Sequence, residues 1–142
     1  MVLYAWHMSD ATISLLKHVA LFSGLSDKEL GAIATLLRER TFSAGTEVVT
    51  EGQGGAGFFI VESGTARVTV GGKDVGTLGA GDHFGEIALI ADTPRTATIT
   101  AETDFHCYGL TVWEFRPLVA SNAAIAWKML QNLAGKLAAV EH

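Results

Sequence analysis

Ala66-Arg67-Val68-Thr69-Val70-Gly71-Gly72-Lys73-Asp74-Val75-Gly76-Thr77-Leu78 sets two short runs around a pair of glycines. Paired glycines accept the positive φ angles of a tight hairpin turn, so this stretch reads as two antiparallel strands. The same texture continues outward from it. Residues 46–50, 58–61, 96–101 and 107–112 are short runs of β-branched and aromatic residues, and most of the 16 glycines lie among them. Such spacing leaves no room for the long crossover helices that a parallel sheet needs. The expected fold is mainly β with flanking α: an antiparallel β-roll, of the jelly-roll or double-stranded β-helix kind, over residues 41–112.

On both sides of the roll the apolar period becomes helical. Leu15, Leu16 and Val19, then Leu30, Ile33, Ala34 and Leu37, predict two amphipathic helices within residues 12–40. Ser26 followed three residues later by Glu29 is a capping box that opens the second of them. Beyond Thr111, Trp113, Phe115 and Leu118 predict a short helix restricted by Pro117. A longer one follows to Val140, with Ala126, Leu130, Leu133, Ala134 and Leu137 on one stripe. Trp127, Leu130 and Leu133 are read as core residues packing on the roll. Residues 9–142 are taken as one domain. Residues 1–8 are set apart as a non-native or disordered leader, because His7-Met8 matches a common cloning junction.

Composition narrows the function. Of the 142 residues 49% are hydrophobic and 18% charged, which favours a folded core over disorder. No apolar run reaches the roughly 18 residues needed to cross a bilayer, so no membrane role is expected. The formal net charge is −5, and Arg38-Glu39-Arg40 is diluted by its own glutamate. Direct nucleic-acid binding is therefore not expected. A single cysteine, Cys107, can form neither an internal disulfide nor a Cys-based zinc site. It reads as a small core residue in a reducing cytoplasm, and no secretory signal is seen.

The chemistry concentrates in Phe84-Gly85-Glu86-Ile87-Ala88-Leu89-Ile90, followed after Ala91-Asp92-Thr93 by Pro94-Arg95-Thr96-Ala97-Thr98. Glu86 to Ile90 can form one helical turn, whose first N–H groups make an anion site. A loop of this length can return Arg95, as the start of the next strand, to that N-terminus. Between Asp74 and Phe115, Arg95 is the one Lys or Arg among Asp82, Glu86, Asp92, Glu102, Asp104 and Glu114. A guanidinium offers paired donors to two phosphate oxygens. A carboxylate beside it makes sense as an acceptor from a sugar hydroxyl.

This stretch closely resembles the phosphate-binding cassette of cyclic-nucleotide-binding domains, as in bacterial cAMP receptors, cyclic-nucleotide-dependent kinases and gated channels. The resemblance runs from about Leu15 to the C-terminus. It takes in Leu21-Phe22, Leu25-Ser26 and Leu30, the glycines Gly45, Gly52 and Gly64, and Phe59-Ile60-Val61-Glu62-Ser63-Gly64. It implies a sensor of cAMP or cGMP, cAMP favoured, that catalyses nothing and needs no other cofactor or metal. Glu86 would accept from the ribose 2′-hydroxyl and Arg95 would pair with the cyclic phosphate. Gly85, Ile87, Ala88 and Ala97 would supply backbone N–H donors, and Thr96 a hydroxyl for phosphate or for a guanine amino group. Leu89 would relay cassette movement to the helices. Leu130, Leu133 and Leu137 would cap the base, with a homodimer through the C-terminal helix left open. Gln53-Gly54-Gly55-Ala56-Gly57 departs from the acidic loop of many relatives. The chain is expected to be a stand-alone, bacterial-type member whose downstream protein partner is unidentified.

The same residues admit rival readings. Glu86 as a helix-terminal charge and Arg95 as a surface partner of Asp92 would need no ligand. A nucleotide-independent protein-interaction module of the same fold is the chief alternative. Gly52-Gln53-Gly54-Gly55-Ala56-Gly57 has the spacing of a dinucleotide fingerprint, but a strand rather than a helix follows it. A metal-dependent barrel enzyme would need converging histidines, and there is no His-x-His pair. His83 reads as a solvated loop residue.

Overall fold

The fold follows from glycines at strand corners and from helices closed by local caps. The computed structural model describes residues 11–54, 57–91 and 93–141. It falls into two compact units: a β unit, Leu37–Trp113, and a helical unit formed by the segments before and after it.

Among the described residues of the β unit, eight strands form two four-stranded antiparallel sheets. These are β1 (Arg38–Phe42), β2 (Glu47–Val49), β3 (Gly57–Ser63), β4 (Ala66–Val70), β5 (Lys73–Leu78), β6 (His83–Phe84), β7 (Thr98–Ala101) and β8 (Phe105–Thr111). One sheet has the order β1-β8-β3-β6 and the other β2-β7-β4-β5. The hairpin of β4 and β5 closes at Val70↔Lys73, with Gly71 and Gly72 at φ 58° and 80°. Both signs are those that two-residue hairpins require. The core gathers Phe59, Val61, Ala66, Ile99, Ala101, Phe105 and Cys107. Phe59 stacks on Phe84 at 5.1 Å and meets Phe42 edge-on at 6.2 Å. Cys107 is a buried free thiol whose pKa is pushed up to about 12 by burial, against a small opposing effect of Arg40.

In the helical unit, residues 11–16 are helical (α1) and Ala20–Phe22 form a 3-10 turn. Then come α2 (Asp27–Ala34), α3 (Val112–Ala120), which begins within the β unit, and α4 (Ala123–Glu141). The capping box is present. Glu29 N–H donates to Ser26 Oγ at 3.1 Å, and Ser26 N–H donates to Glu29 Oε1 at 2.9 Å. Lys128 Nζ on α4 reaches the same Oε1 at 2.8 Å. That hydrogen bond, seconded by the Ser26 N–H, holds the Glu29 carboxyl below the usual carboxylate range. Asn132 Nδ2 donates to the carbonyls of Leu21 and Ser23, each at 2.9 Å. Phe22 and Phe115 meet at 6.1 Å.

Several boundaries differ from the sequence reading. Residues 38–40 are strand, not helix, because β1 finds a full partner in β8, from Arg38↔Gly109 to Phe42↔Phe105. The short strand β6 was also absent from that reading. Arg95 precedes β7 rather than opening it. The face of α4 is rotated as well: Ile125 and Met129 are its buried residues, whereas Trp127 and Leu130 are 62% and 57% exposed. Trp127 and Leu130 are thus not core residues, and Leu137 is exposed too. Leu133 is half-buried. The leader, Gly55, Ala56 and Asp92 lie outside the described residues.

Candidate functional site

The site is built on Gly85. Its φ of +88° places it in the left-handed region, where a side chain would be strained. A Cβ there would also lie 2.5 Å from both Arg95 Nη1 and the Gly57 carbonyl oxygen. Only glycine lets these three groups converge. After this corner Glu86–Leu89 form a single 3-10 turn, held by buried Ala88 and Leu89, while Ile87 is exposed.

Arg95 is anchored through its backbone before its side chain does anything. Its N–H donates to Gln53 O at 2.9 Å, and its carbonyl accepts from Gly52 N–H at 2.8 Å. The side chain then runs back to Gly85, and Nη2 donates to Gly57 O at 2.7 Å. Nε is buried and has no hydrogen-bond partner among the described residues. Burial lowers the guanidinium pKa from its ordinary value. An arginine so held stays charged while part of its hydration is gone, which favours a complementary anion. The sequence reading that paired Arg95 with Asp92 falls on a residue outside those described.

Glu86 lies on the same side of the corner. Its Oε2 is 3.1 Å from His83 Nδ1, with the two side chains 25% and 24% exposed. His83 is therefore not a solvated loop residue; it stands on β6, its ring 5.8 Å from that of Phe58. A cavity of about 340 Å³ opens here. It brings together Gly85, Glu86, Ile87, Ala88, Arg95, Thr96 and Ala97, all seven ligand-site residues expected from the sequence. Val49, Val68, Leu78, Phe84 and Ile99 give it an apolar wall, with His83 and Thr93 beside them. One expected donor is otherwise engaged: the Ala88 N–H donates to Gly85 O at 3.0 Å, inside the turn. A second cavity of about 440 Å³ borders Arg95 from the side of β1 and β8, where Arg38 and Arg40 line it. It lacks Glu86 and the turn, so the smaller cavity is the candidate site.

Sequence reasoning missed the Gly57 carbonyl, His83 and the apolar wall. Of these only His83 left a signal, as the second titratable group within three residues of Glu86. Leu130, Leu133 and Leu137 lie on α4, in the helical unit.

Fold and cavity together describe a β-roll with a small-molecule-sized pocket that carries a half-buried cation, an adjacent carboxylate and apolar side chains. The chain belongs to the cyclic nucleotide-binding domain family, whose model matches residues 39–122. It is 47% identical over 90 residues to a cAMP-dependent protein kinase regulatory subunit of Yarrowia lipolytica, a match covering 62% of this chain and 24% of that protein. A cGMP-dependent protein kinase of Toxoplasma gondii is 38% identical over 95 residues, covering 67% of this chain and 10% of the kinase. The chain thus spans about a quarter or less of these curated relatives. The N-terminal domain of a transcriptional regulator from Streptomyces coelicolor A3(2) has the same fold, with a TM-score of 0.83 at 23% identity. That likeness covers 89% of this chain and 92% of the other.

Proposed function

We propose that this chain binds a 3′,5′-cyclic nucleotide in the cavity beside Gly85 and acts as a regulatory sensor without catalytic activity. The observation that carries this is Arg95, held against the Gly85 corner with Nη2 on Gly57 O and a buried Nε without a described partner. A cyclic phosphodiester supplies the single negative charge such a site favours, and a ribose hydroxyl supplies the donor for Glu86. The apolar wall then receives the base. cAMP is preferred over cGMP in this reading, supported by the relatives' names: the match to a cAMP-dependent protein is the stronger, at 47% against 38% identity.

The response is movement of α4 toward the nucleotide-bound state, a population shift that then reaches a downstream protein. The exposed apolar residues Trp127, Leu130, Leu137 and Val140 support such a role, since movement or pairing with a second copy would cover them. Among the described residues no helix is long and apolar enough to cross a membrane; the location we propose is the cytoplasm. The same exposed row favours the second reading, a protein-interaction module that ignores nucleotides.

Calorimetric titration separates the two. cAMP is expected to bind more tightly than cGMP, and both far more tightly than 5′-AMP, which lacks the ring phosphate. Tighter cGMP binding would reverse the base preference and point to the Thr96 hydroxyl. Absence of binding by either cyclic nucleotide would leave the interaction module.

A further inference from the structure

His83 Nδ1 lies 3.1 Å from Glu86 Oε2, and nothing in the proposed binding mode uses this contact. An ionised carboxylate can only accept, so the 3.1 Å contact makes Nδ1 of His83 the donor to Glu86 Oε2. The imidazole is itself fixed. His83 pairs with Ile60 across β3 and β6, and its ring lies 5.8 Å from that of Phe58. Glu86 stands at the start of one short turn, and the His83 contact adds to what restrains its side chain. A glutamate loses rotational freedom when a ligand immobilises it, and that loss weakens binding.

We propose that His83 is a positioning residue. By holding Oε2 from a rigid strand, it presets the Glu86 carboxylate to receive the ribose 2′-hydroxyl, and so contributes to selection of ribose over 2′-deoxyribose. A carboxylate has about four lone-pair sites, so pairing with His83 leaves acceptor capacity for that hydroxyl. Of the described residues that line this cavity, the charged or titratable ones are His83, Glu86 and Arg95. The inference rests on the reading of this cavity as a cyclic-nucleotide site.

The test compares wild type, His83→Phe and His83→Asn, each titrated with cAMP and with 2′-deoxy-cAMP. Phenylalanine keeps a ring against Phe58 but donates nothing; asparagine can offer an N–H close to where Nδ1 stands. His83→Phe is expected to weaken cAMP binding about three- to tenfold, the effect of one side chain no longer preset. It should change the affinity for 2′-deoxy-cAMP less than about twofold. His83→Asn is expected to recover most of the cAMP affinity, which a purely structural role would not predict. Equal weakening of both ligands by His83→Phe, or no weakening of either, overturns the positioning role. If wild type binds neither nucleotide, the binding reading itself fails and this one with it; if wild type binds both, only the role of His83 is at stake.

Discussion

Arg95 and Glu86 carry different parts of the ligand in this reading, and substitution should separate them. Arg95→Ala would leave a phosphodiester desolvated beside the Gly85 corner, with only backbone donors to meet it. Removing one member of a buried, hydrogen-bonded charge pair typically costs about 2–5 kcal/mol. The expected loss is roughly 30-fold to a few thousandfold in affinity. Arg95→Lys should lose much of the same, since an ammonium cannot supply paired donors while also meeting Gly57 O. Glu86→Gln should cost less, about 1–3 kcal/mol, as one hydrogen bond to a charged acceptor weakens. Its penalty should shrink with 2′-deoxy-cAMP, whereas that of Arg95→Ala should persist. Calorimetry on folded variants with both ligands reads all of these; unchanged affinity in both variants would remove the cassette assignment.

Elements divide into those whose cause is local and those that exist only because of a distant partner. The α2 cap is local: Ser26 and Glu29 suffice, and the contact forms as the spacing predicts. The β4–β5 hairpin is local too, set by Gly71 and Gly72. Strand β1 is not. All but one of its residues are exposed, so Arg38-Glu39-Arg40 has no apolar alternation to betray it, and β8 alone makes it a strand. The face of α4 was misread for a related reason. Apolar residues surround most of its circumference, while Lys128 and Asn132 lie toward the packed side because Glu29 and two carbonyls await them. In the cassette, Gly85, Glu86 and Arg95 were legible from order and charge. The Gly57 carbonyl, 38 residues from Arg95 in sequence, was not. The His83 contact left only its short spacing to Glu86 as a signal, because the left-handed backbone at Gly85 lies between them and breaks helical spacing.

The α2 cap also makes a prediction about pH. Glutamine at position 29 can still complete a capping box, so Glu29→Gln removes the charge toward Lys128 while sparing the cap. In the folded chain the Glu29 carboxyl is held below its ordinary range, chiefly by the Lys128 hydrogen bond. A depressed carboxyl stabilises the fold above its unfolded-state pKa and ceases to do so as pH falls through its folded value. Wild type should therefore exceed Glu29→Gln in stability near neutral pH, and the gap should close in acid. Urea midpoints measured along a pH series check this, and a gap independent of pH would contradict it.

For the whole molecule, a ligand that binds only the folded form adds stability by mass action. At about 100 times its dissociation constant the gain is roughly 2.7 kcal/mol, or several degrees in Tm for a chain of this size. The buried thiol on β8 offers a finer gauge of the same quantity. With its pKa pushed up to about 12 and its sulfur enclosed, Cys107 presents almost no thiolate to a reagent while the roll is closed. Alkylation must wait for the strand to open, and when reclosing is fast its rate follows the open population. Cys107, the one cysteine in the chain, is therefore a built-in clock for opening of the β-roll. If opening β8 also releases the nucleotide, iodoacetamide labelling should slow about 100-fold at 100 times the dissociation constant. Slowing by cAMP but not by 5′-AMP would register occupancy of the cavity without any dye or added residue.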